Sequence, residues 1–97
     1  MTAEDRLDVI EACHRLTWAL DQDEWTGVRG RLGEPIVCDL SDLTGEPPTT
    51  LSRADFEGLL SSWHAPGSVT QHLVGNQIVD FTDENRRATV RMYVEYT

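Results

Sequence analysis

A histidine inside a long strand-like segment is the residue of this chain best suited to chemistry. His72 lies in the stretch SVTQHLVGNQIVDF, from Ser68 to Phe81, whose composition predicts one long β-strand. An imidazole titrates near neutral pH and can move a proton in either direction, as general acid/base catalysis requires. The strand pattern leaves two interpretations open. Either His72 points into a pocket and transfers protons, or it is a satisfied polar residue on a partly covered sheet face.

Two further ionisable residues share one line along the first predicted helix. His14 and Asp21 follow this line with Ile10 and Thr17, at helical spacing along one border of the apolar stripe. Asp21 is either a helix-end residue that binds nearby backbone amides or a carboxylate that faces a pocket, and the two roles are compatible. His14 is more simply explained as a half-buried helix histidine than as a second base.

The period of a β-strand predicts which residues accompany His72. With side chains alternating between faces, Asn76 and Ile78 share the face of His72, and Asn76 is a candidate hydrogen-bonding partner for a ligand. In the next predicted strand, Met92 and Val94 belong to an apolar face. We expect that face to pack on helices or to line a cavity.

The aromatic residues have packing and binding interpretations. Trp18, Trp25 and Trp63 are most simply explained as core or interface packing, and Trp18 lies away from the main apolar stripe of its helix. Tyr93 or Tyr96 could supply a hydroxyl group to a ligand, although a strand tyrosine more often packs.

Capping and periodicity signals predict the elements that position these residues. Capping-box patterns at Thr2 and Ser52 each begin a helix, and Asp23 is the predicted N-cap of a short helix between them. The predicted elements are helices at 3–20, about 24–32 and 53–63, a short strand at 36–40, a loop at 41–50, and strands at 68–81 and 87–97. The last two strands form a β-hairpin. Helices followed by an antiparallel hairpin predict an α+β fold rather than a parallel sheet.

Composition limits the classes of partner and the cellular compartment that are expected for this chain. Its 97 residues predict one domain, and a formal charge of −9 disfavours nucleic acids and anionic membranes. No apolar stretch approaches the ~20 residues that span a bilayer, and the N-terminus does not resemble a secretory signal. Cys13 and Cys38 do not form a CxxC pair, so no metal site is expected. We therefore expect a cytoplasmic protein.

The segments LTWALDQDEW and, about fifty residues later, TQHLVGN resemble the SnoaL-like branch of the NTF2-like superfamily. Scytalone dehydratase belongs to that branch, and ketosteroid isomerase and limonene-epoxide hydrolase are relatives. The resemblance runs from the first helix to Thr97, and its most specific elements are Asp21, the Glu24–Trp25 pair and the TQH strand. It implies a cone-shaped α+β fold, in which a curved antiparallel sheet wraps around helices and encloses a pocket.

The resemblance also implies roles for two residues, and this sequence departs from the dehydratase pattern at other positions. In dehydratase-like members, residues at the places of His72 and Asp21 face the pocket, so His72 would be the general acid/base and Asp21 its orienting partner or a second base. The tyrosines of that pattern correspond to Leu20 and Leu40 here. The second histidine falls near Val94, or near Tyr93 if the register slips by one residue. The terminal strands of the family are missing over residues 1–97, so we expect further strands after Thr97 or strands supplied by a partner chain.

Together these observations predict a protein that encloses a small, largely apolar carbonyl compound. The first hypothesis is cofactor-independent dehydration, isomerisation or cyclisation, and the alternative is a non-catalytic ligand-binding or dimerisation module. Members of the family that resemble this chain often form homodimers through the outer face of the sheet, and we expect the same here. The predicted site residues are His72 and Asp21 for catalysis and Trp18, Trp25, Asn76, Met92 and Val94 for substrate binding.

Overall fold

A computed structural model describes residues 2–64, 67–84 and 86–97 of the chain. The predicted α+β class is confirmed. The elements are α1 (Ala3–Asp21), α2 (Trp25–Gly30), β1 (Ile36–Cys38), α3 (Ser41–Thr44), β2 (Thr49–Leu51), α4 (Arg53–Ser62), β3 (His72–Thr82) and β4 (Arg87–Tyr96). They form two compact units, one running up to Glu24 and resuming at Val69–Thr97, the other covering Trp25–Ser68. That residues 1–97 make a single domain stays a prediction.

Helix α1 begins where the capping pattern predicts. The Thr2 hydroxyl accepts a hydrogen bond from the Asp5 backbone N–H at 3.1 Å, and the Asp5 carboxylate accepts one from the Thr2 N–H at 3.0 Å. The helix ends at Asp21, one residue later than predicted, where the Gln22 N–H donates to the Trp18 carbonyl at 3.0 Å. Asp21 is thus the last helical residue, and its side chain leaves the helix near the start of β3.

Helix α1 packs on strand β3 of the same unit. The Arg6 guanidinium donates to the Val79 backbone carbonyl at 2.7 Å and lies over the Phe81 ring, 5.7 Å from its centroid. Val79 is buried, as are Ala19 and Leu20 near the end of the helix. These contacts hold α1 against the strand.

The predicted β-hairpin is confirmed, with strands β3 and β4 antiparallel and His72 directly opposite Tyr96. Strand β3 begins at His72 rather than at Ser68, although Gln71 and Thr97 exchange backbone hydrogen bonds of 2.9 and 3.0 Å that extend the ladder. The predicted linker between the strands includes residue 85, which lies outside the described residues.

A bulge in β3 changes the face on which its later side chains lie. Gly75 pairs with Tyr93 and Ile78 with Arg91, so two residues of β3 stand opposite one residue of β4. The burial pattern changes at this shift in register, and Asn76 and Ile78 are exposed. The buried and half-buried residues of the strand are His72, Val74, Gln77, Val79 and Phe81. The prediction that Asn76 and Ile78 share the His72 face is therefore wrong, because the extra residue shifts the period of two by one position.

The second unit contains more regular structure than the sequence predicts. Residues 41–50 do not form a simple loop, because they include α3 and the first residues of β2, which pairs antiparallel with β1. Helix α2 begins at Trp25, so Glu24 rather than the predicted Asp23 precedes it. The Ser52 cap of α4 is confirmed, since its hydroxyl accepts from the Asp55 N–H at 3.1 Å. The predicted turn at His64–Gly67 includes residues 65 and 66, which lie outside the described residues.

Candidate functional site

The end of helix α1 meets the start of strand β3 at a carboxylate. Asp21 accepts hydrogen bonds from the Thr70 hydroxyl at 2.9 Å, from the His72 backbone N–H at 2.9 Å and from His72 Nδ1 at 2.6 Å. The backbone hydrogen bond places the start of β3 beside the helix end, and the ring hydrogen bond orients the imidazole. Residues about fifty positions apart in the sequence are thereby joined into one site.

The Asp21–His72 pair is largely removed from solvent. Each side chain is 12% exposed. Burial works to raise the pKa of Asp21, but the hydrogen bonds from the His72 backbone and ring and from Thr70 outweigh it, so the pKa lies below its ordinary value of 3.8. Asp21 is therefore ionised near neutral pH. An ionised carboxylate only accepts hydrogen bonds, so Nδ1 of His72 carries a proton in this contact.

An open cleft of about 410 Å³ lies beside the pair. Its described lining consists of one side of α1 and the histidine of β3, namely Glu11, His14, Arg15, Thr17, Trp18, Asp21 and His72. Trp18 is 64% exposed, so its indole is available at the edge of the cleft to a molecule inside it. The helical line on which His14 and Asp21 were predicted to lie thus forms one wall of this cleft.

The wall of the cleft carries both charged and neutral polar groups. Arg15 forms an ion pair with Glu11 at 3.0 Å on the exposed side of α1. The Thr17 hydroxyl donates to backbone carbonyls of the preceding turn, at 3.0 Å to His14 and 3.3 Å to Cys13. A bound molecule would therefore meet the indole of Trp18, the Arg15–Glu11 ion pair and the imidazole of His72.

The other predicted binding residues lie elsewhere in the structure. Asn76 and Met92 line a cavity of about 360 Å³ with Arg91 and Tyr93, and Val94 lines one of about 340 Å³ that Asn76 also borders. Trp25 belongs to the second unit, where its ring meets His64 edge-on at a centroid distance of 5.9 Å. The bulge explains the placement of Asn76, because it turns that residue away from the face of His72.

Two residues of the site were not predicted as site residues. Thr70 supplies a hydrogen bond to Asp21, and the ring of Tyr96 lies 4.7 Å from the His72 ring, tilted by 48°. Tyr96 was one of two tyrosines considered as hydroxyl donors. The register of the hairpin would have distinguished them, because Tyr96 pairs directly with His72 whereas Tyr93 pairs with Gly75 and is 75% exposed.

The described residues contain neither a metal-binding cluster nor a membrane-spanning helix. Across residues 2–64, 67–84 and 86–97, no three His, Cys, Asp or Glu side chains are grouped so that they could hold a metal ion. Within the same described ranges, no helix has the length and apolar character needed to cross a bilayer.

Comparison with known proteins supports the resemblance seen in the sequence. A family model described as a SnoaL-like domain matches residues 1–97. The crystal structure of the Kfla4162 protein from Kribbella flavida is similar over 96% of this chain, with a TM-score of 0.80 and 29% sequence identity. The chain spans 62% of the length of that protein. A comparison with curated protein sequences found no match.

Proposed function

The chain belongs to the SnoaL-like family of the NTF2-like superfamily, and from this premise we propose that it catalyses cofactor-independent acid/base chemistry. The substrate would be a small, largely apolar carbonyl compound bound in the cleft beside Asp21 and His72. The reaction would be a dehydration, an isomerisation or a cyclisation, each of which begins with removal of a proton next to the carbonyl group.

The observation that carries this proposal is the 2.6 Å contact between Asp21 and His72 Nδ1 at the wall of the cleft. A carboxylate on Nδ1 holds the imidazole in one tautomer and stabilises the imidazolium that forms when the ring takes a proton. His72 would remove the α-proton through Nε2. It would return the proton to a leaving hydroxyl in a dehydration, releasing water, or to another carbon in an isomerisation.

Asp21 has a supporting role in this mechanism rather than a second basic one. The carboxylate is already engaged by the Thr70 hydroxyl, the His72 N–H and the His72 ring. Its lowered pKa means that it is a poor proton acceptor near neutral pH. We therefore assign the proton transfer to His72 and the orientation of the imidazole to Asp21.

The test compares His72→Ala with His14→Ala, because both histidines line the cleft and only His72 contacts Asp21. Turnover would be followed on a panel of enolisable ketones and β-hydroxy ketones, by deuterium exchange at the α-carbon and by absorbance of the enone product. We expect His72→Ala to reduce the rate by about 10²-fold or more at a temperature at which circular dichroism shows the variant to be folded. His14→Ala should retain most of the rate. Equal rates for wild type and His72→Ala would overturn the proposal.

The alternative, a module that binds a ligand or a second copy without turnover, is favoured by a different observation. The dehydratase tyrosines are replaced by Leu20 and Leu40, and Leu20 is buried, so neither position supplies a hydroxyl. The outer face of the hairpin also exposes Leu73 and Ile78. Under this alternative, His72→Ala would change ligand affinity or stability while no reaction is detected. Sedimentation equilibrium of the wild-type chain would show whether it forms the expected homodimer.

A further inference from the structure

The ring of Tyr96 contacts the imidazole of His72 from the neighbouring strand. The two residues form a direct cross-strand pair, with ring centroids 4.7 Å apart and planes tilted by 48°. This separation is within the range over which aromatic rings interact favourably. Their pairing lies on the N-terminal side of the β3 bulge, so the shift in register does not separate them.

Asp21 restrains both the backbone and the ring of His72. The backbone fixes Cβ, because the His72 N–H donates to Asp21 at 2.9 Å, and the same carboxylate holds Nδ1 at 2.6 Å. Small rotations about the Cα–Cβ and Cβ–Cγ bonds of His72, within the tolerance of that hydrogen bond, tilt the plane of the ring. A ring packed against the imidazole restricts that tilt, and Tyr96 lies where it can do so.

We propose that Tyr96 is a positioning residue that sets the plane of the His72 imidazole. This inference rests on the proposed function, in which Nε2 of His72 exchanges the proton with the substrate. In this role Tyr96 acts through its ring contact with His72, which is the member of the pair that lines the cleft. The aromatic ring carries the effect, and phenylalanine should replace it.

The experiment compares Tyr96→Leu, Tyr96→Phe and a matched control, Tyr93→Leu, in the 97-residue chain. Tyr93 lies on the same strand but is 75% exposed and pairs with Gly75. We expect Tyr96→Leu to lower kcat about tenfold with little change in KM, because a misplaced catalytic group slows the chemical step more than binding. Tyr96→Phe and Tyr93→Leu should retain wild-type kcat. Retained kcat in Tyr96→Leu, or equal losses in Tyr96→Leu and Tyr96→Phe, would overturn the inference.

A second measurement needs no substrate. In NMR spectra of the wild-type chain, the ring protons of His72 should show nuclear Overhauser contacts to the Tyr96 ring and a ring-current shift that Tyr93→Leu leaves in place. Absence of those contacts would reject the positioning role even if Tyr96→Leu failed to fold. If the contacts are present while the wild-type chain turns over no substrate, the proposed function fails and the ring packing stands.

Discussion

At the residue scale, one carboxylate connects the end of a helix to the start of a strand. Asp21 accepts hydrogen bonds from a backbone N–H, a hydroxyl and an imidazole, all from residues 70–72. These donors stabilise the charged carboxylate more than burial destabilises it, which explains the lowered pKa of Asp21. The same interactions that would orient a catalytic base therefore also hold the helix end against the strand.

The stability that Asp21 supplies should depend on pH. Because the pKa of Asp21 is lower in the folded chain than its ordinary value of 3.8, the stabilisation is fully present above that value and is lost as pH falls through the folded-state pKa. Urea unfolding from pH 7 to pH 3 should show Asp21→Asn less stable than wild type by about 1–3 kcal/mol at pH 7, with the difference shrinking below about pH 4.

Asp8→Asn is the matched control for that series, because it removes one carboxylate from an exposed position of the same helix. Its effect should be within about 0.5 kcal/mol of wild type at pH 7. A constant difference between wild type and Asp21→Asn across the whole pH range would contradict the assignment of the ionised carboxylate.

The Thr70 hydroxyl should contribute measurably to the site. Thr70→Val preserves the shape of the side chain but removes the hydrogen bond of 2.9 Å to Asp21. We expect a loss of about 1–2 kcal/mol in unfolding free energy, because hydrogen bonds to charged groups contribute more stability than hydrogen bonds between neutral groups. Thr70→Ser keeps the hydroxyl and should recover most of the loss in the same urea titration. If valine and serine behave alike, the hydroxyl has no such role.

At the element scale, the bulge of β3 determines which side chains share a face with His72. Gln77, Val79 and Phe81 continue the covered face after the bulge, although simple alternation from His72 would place them on the opposite one. Asn76 lies within the bulge and has a φ of 52°. This is the left-handed region, which asparagine tolerates better than most residues. Strand β3 thus presents His72 at one end and buries Val79 against α1 further along.

Substitutions at Asn76 should reveal the conformation of the bulge. Asn76→Gly should be neutral or slightly stabilising, whereas Asn76→Val should destabilise the chain by about 1–3 kcal/mol, because a β-branched residue is strained at positive φ. Leu73→Val, at an exposed position of the same strand, is the control for adding a β-branched residue. Thermal unfolding followed by circular dichroism measures all three. A valine tolerated as well as glycine would mean that residue 76 does not hold positive φ.

At the scale of the whole molecule, charge and apolar surface are the properties that stand out. The chain carries 17 acidic and 8 basic residues, giving a formal charge of −9. The apolar face predicted for β4 remains partly exposed, with Met92 39% and Val94 47% accessible. Repulsion among the excess acidic groups therefore destabilises a chain in which large apolar side chains remain exposed.

Moderate salt should stabilise the chain. Sodium chloride screens repulsion among the excess carboxylates, and exposed ion pairs such as Arg15–Glu11 and Arg87–Asp83 contribute little that salt could remove. We expect the melting temperature to rise by roughly 2–4 °C between 20 mM and 300 mM salt, a change of about 0.5 kcal/mol. Calorimetry measures this directly. A falling melting temperature would show that attractive pairs outweigh the net repulsion.

The sequence by itself determined the elements that local signals specify. Both helix caps at Thr2 and Ser52, the α+β class and the terminal hairpin follow from hydroxyl–amide pairing and from long periodic segments. The SnoaL-like resemblance also follows from motifs in the sequence, and it implies pocket positions for His72 and Asp21. These features need only residues near one another in the chain, or a pattern long enough to repeat.

Tertiary structure alone decided the features that depend on distant pairing. Strand β2 has three residues, too few to show a period, and it exists because it pairs with β1. The bulge is set by the partner strand, so alternation could not place Asn76, and only the hairpin register brings Tyr96 rather than Tyr93 to His72. The contact of Asp21 with His72 likewise depends on α1 packing along β3. Backbone hydrogen bonds and burial between segments supply the energy for these choices, and neither is encoded by residues adjacent in the sequence.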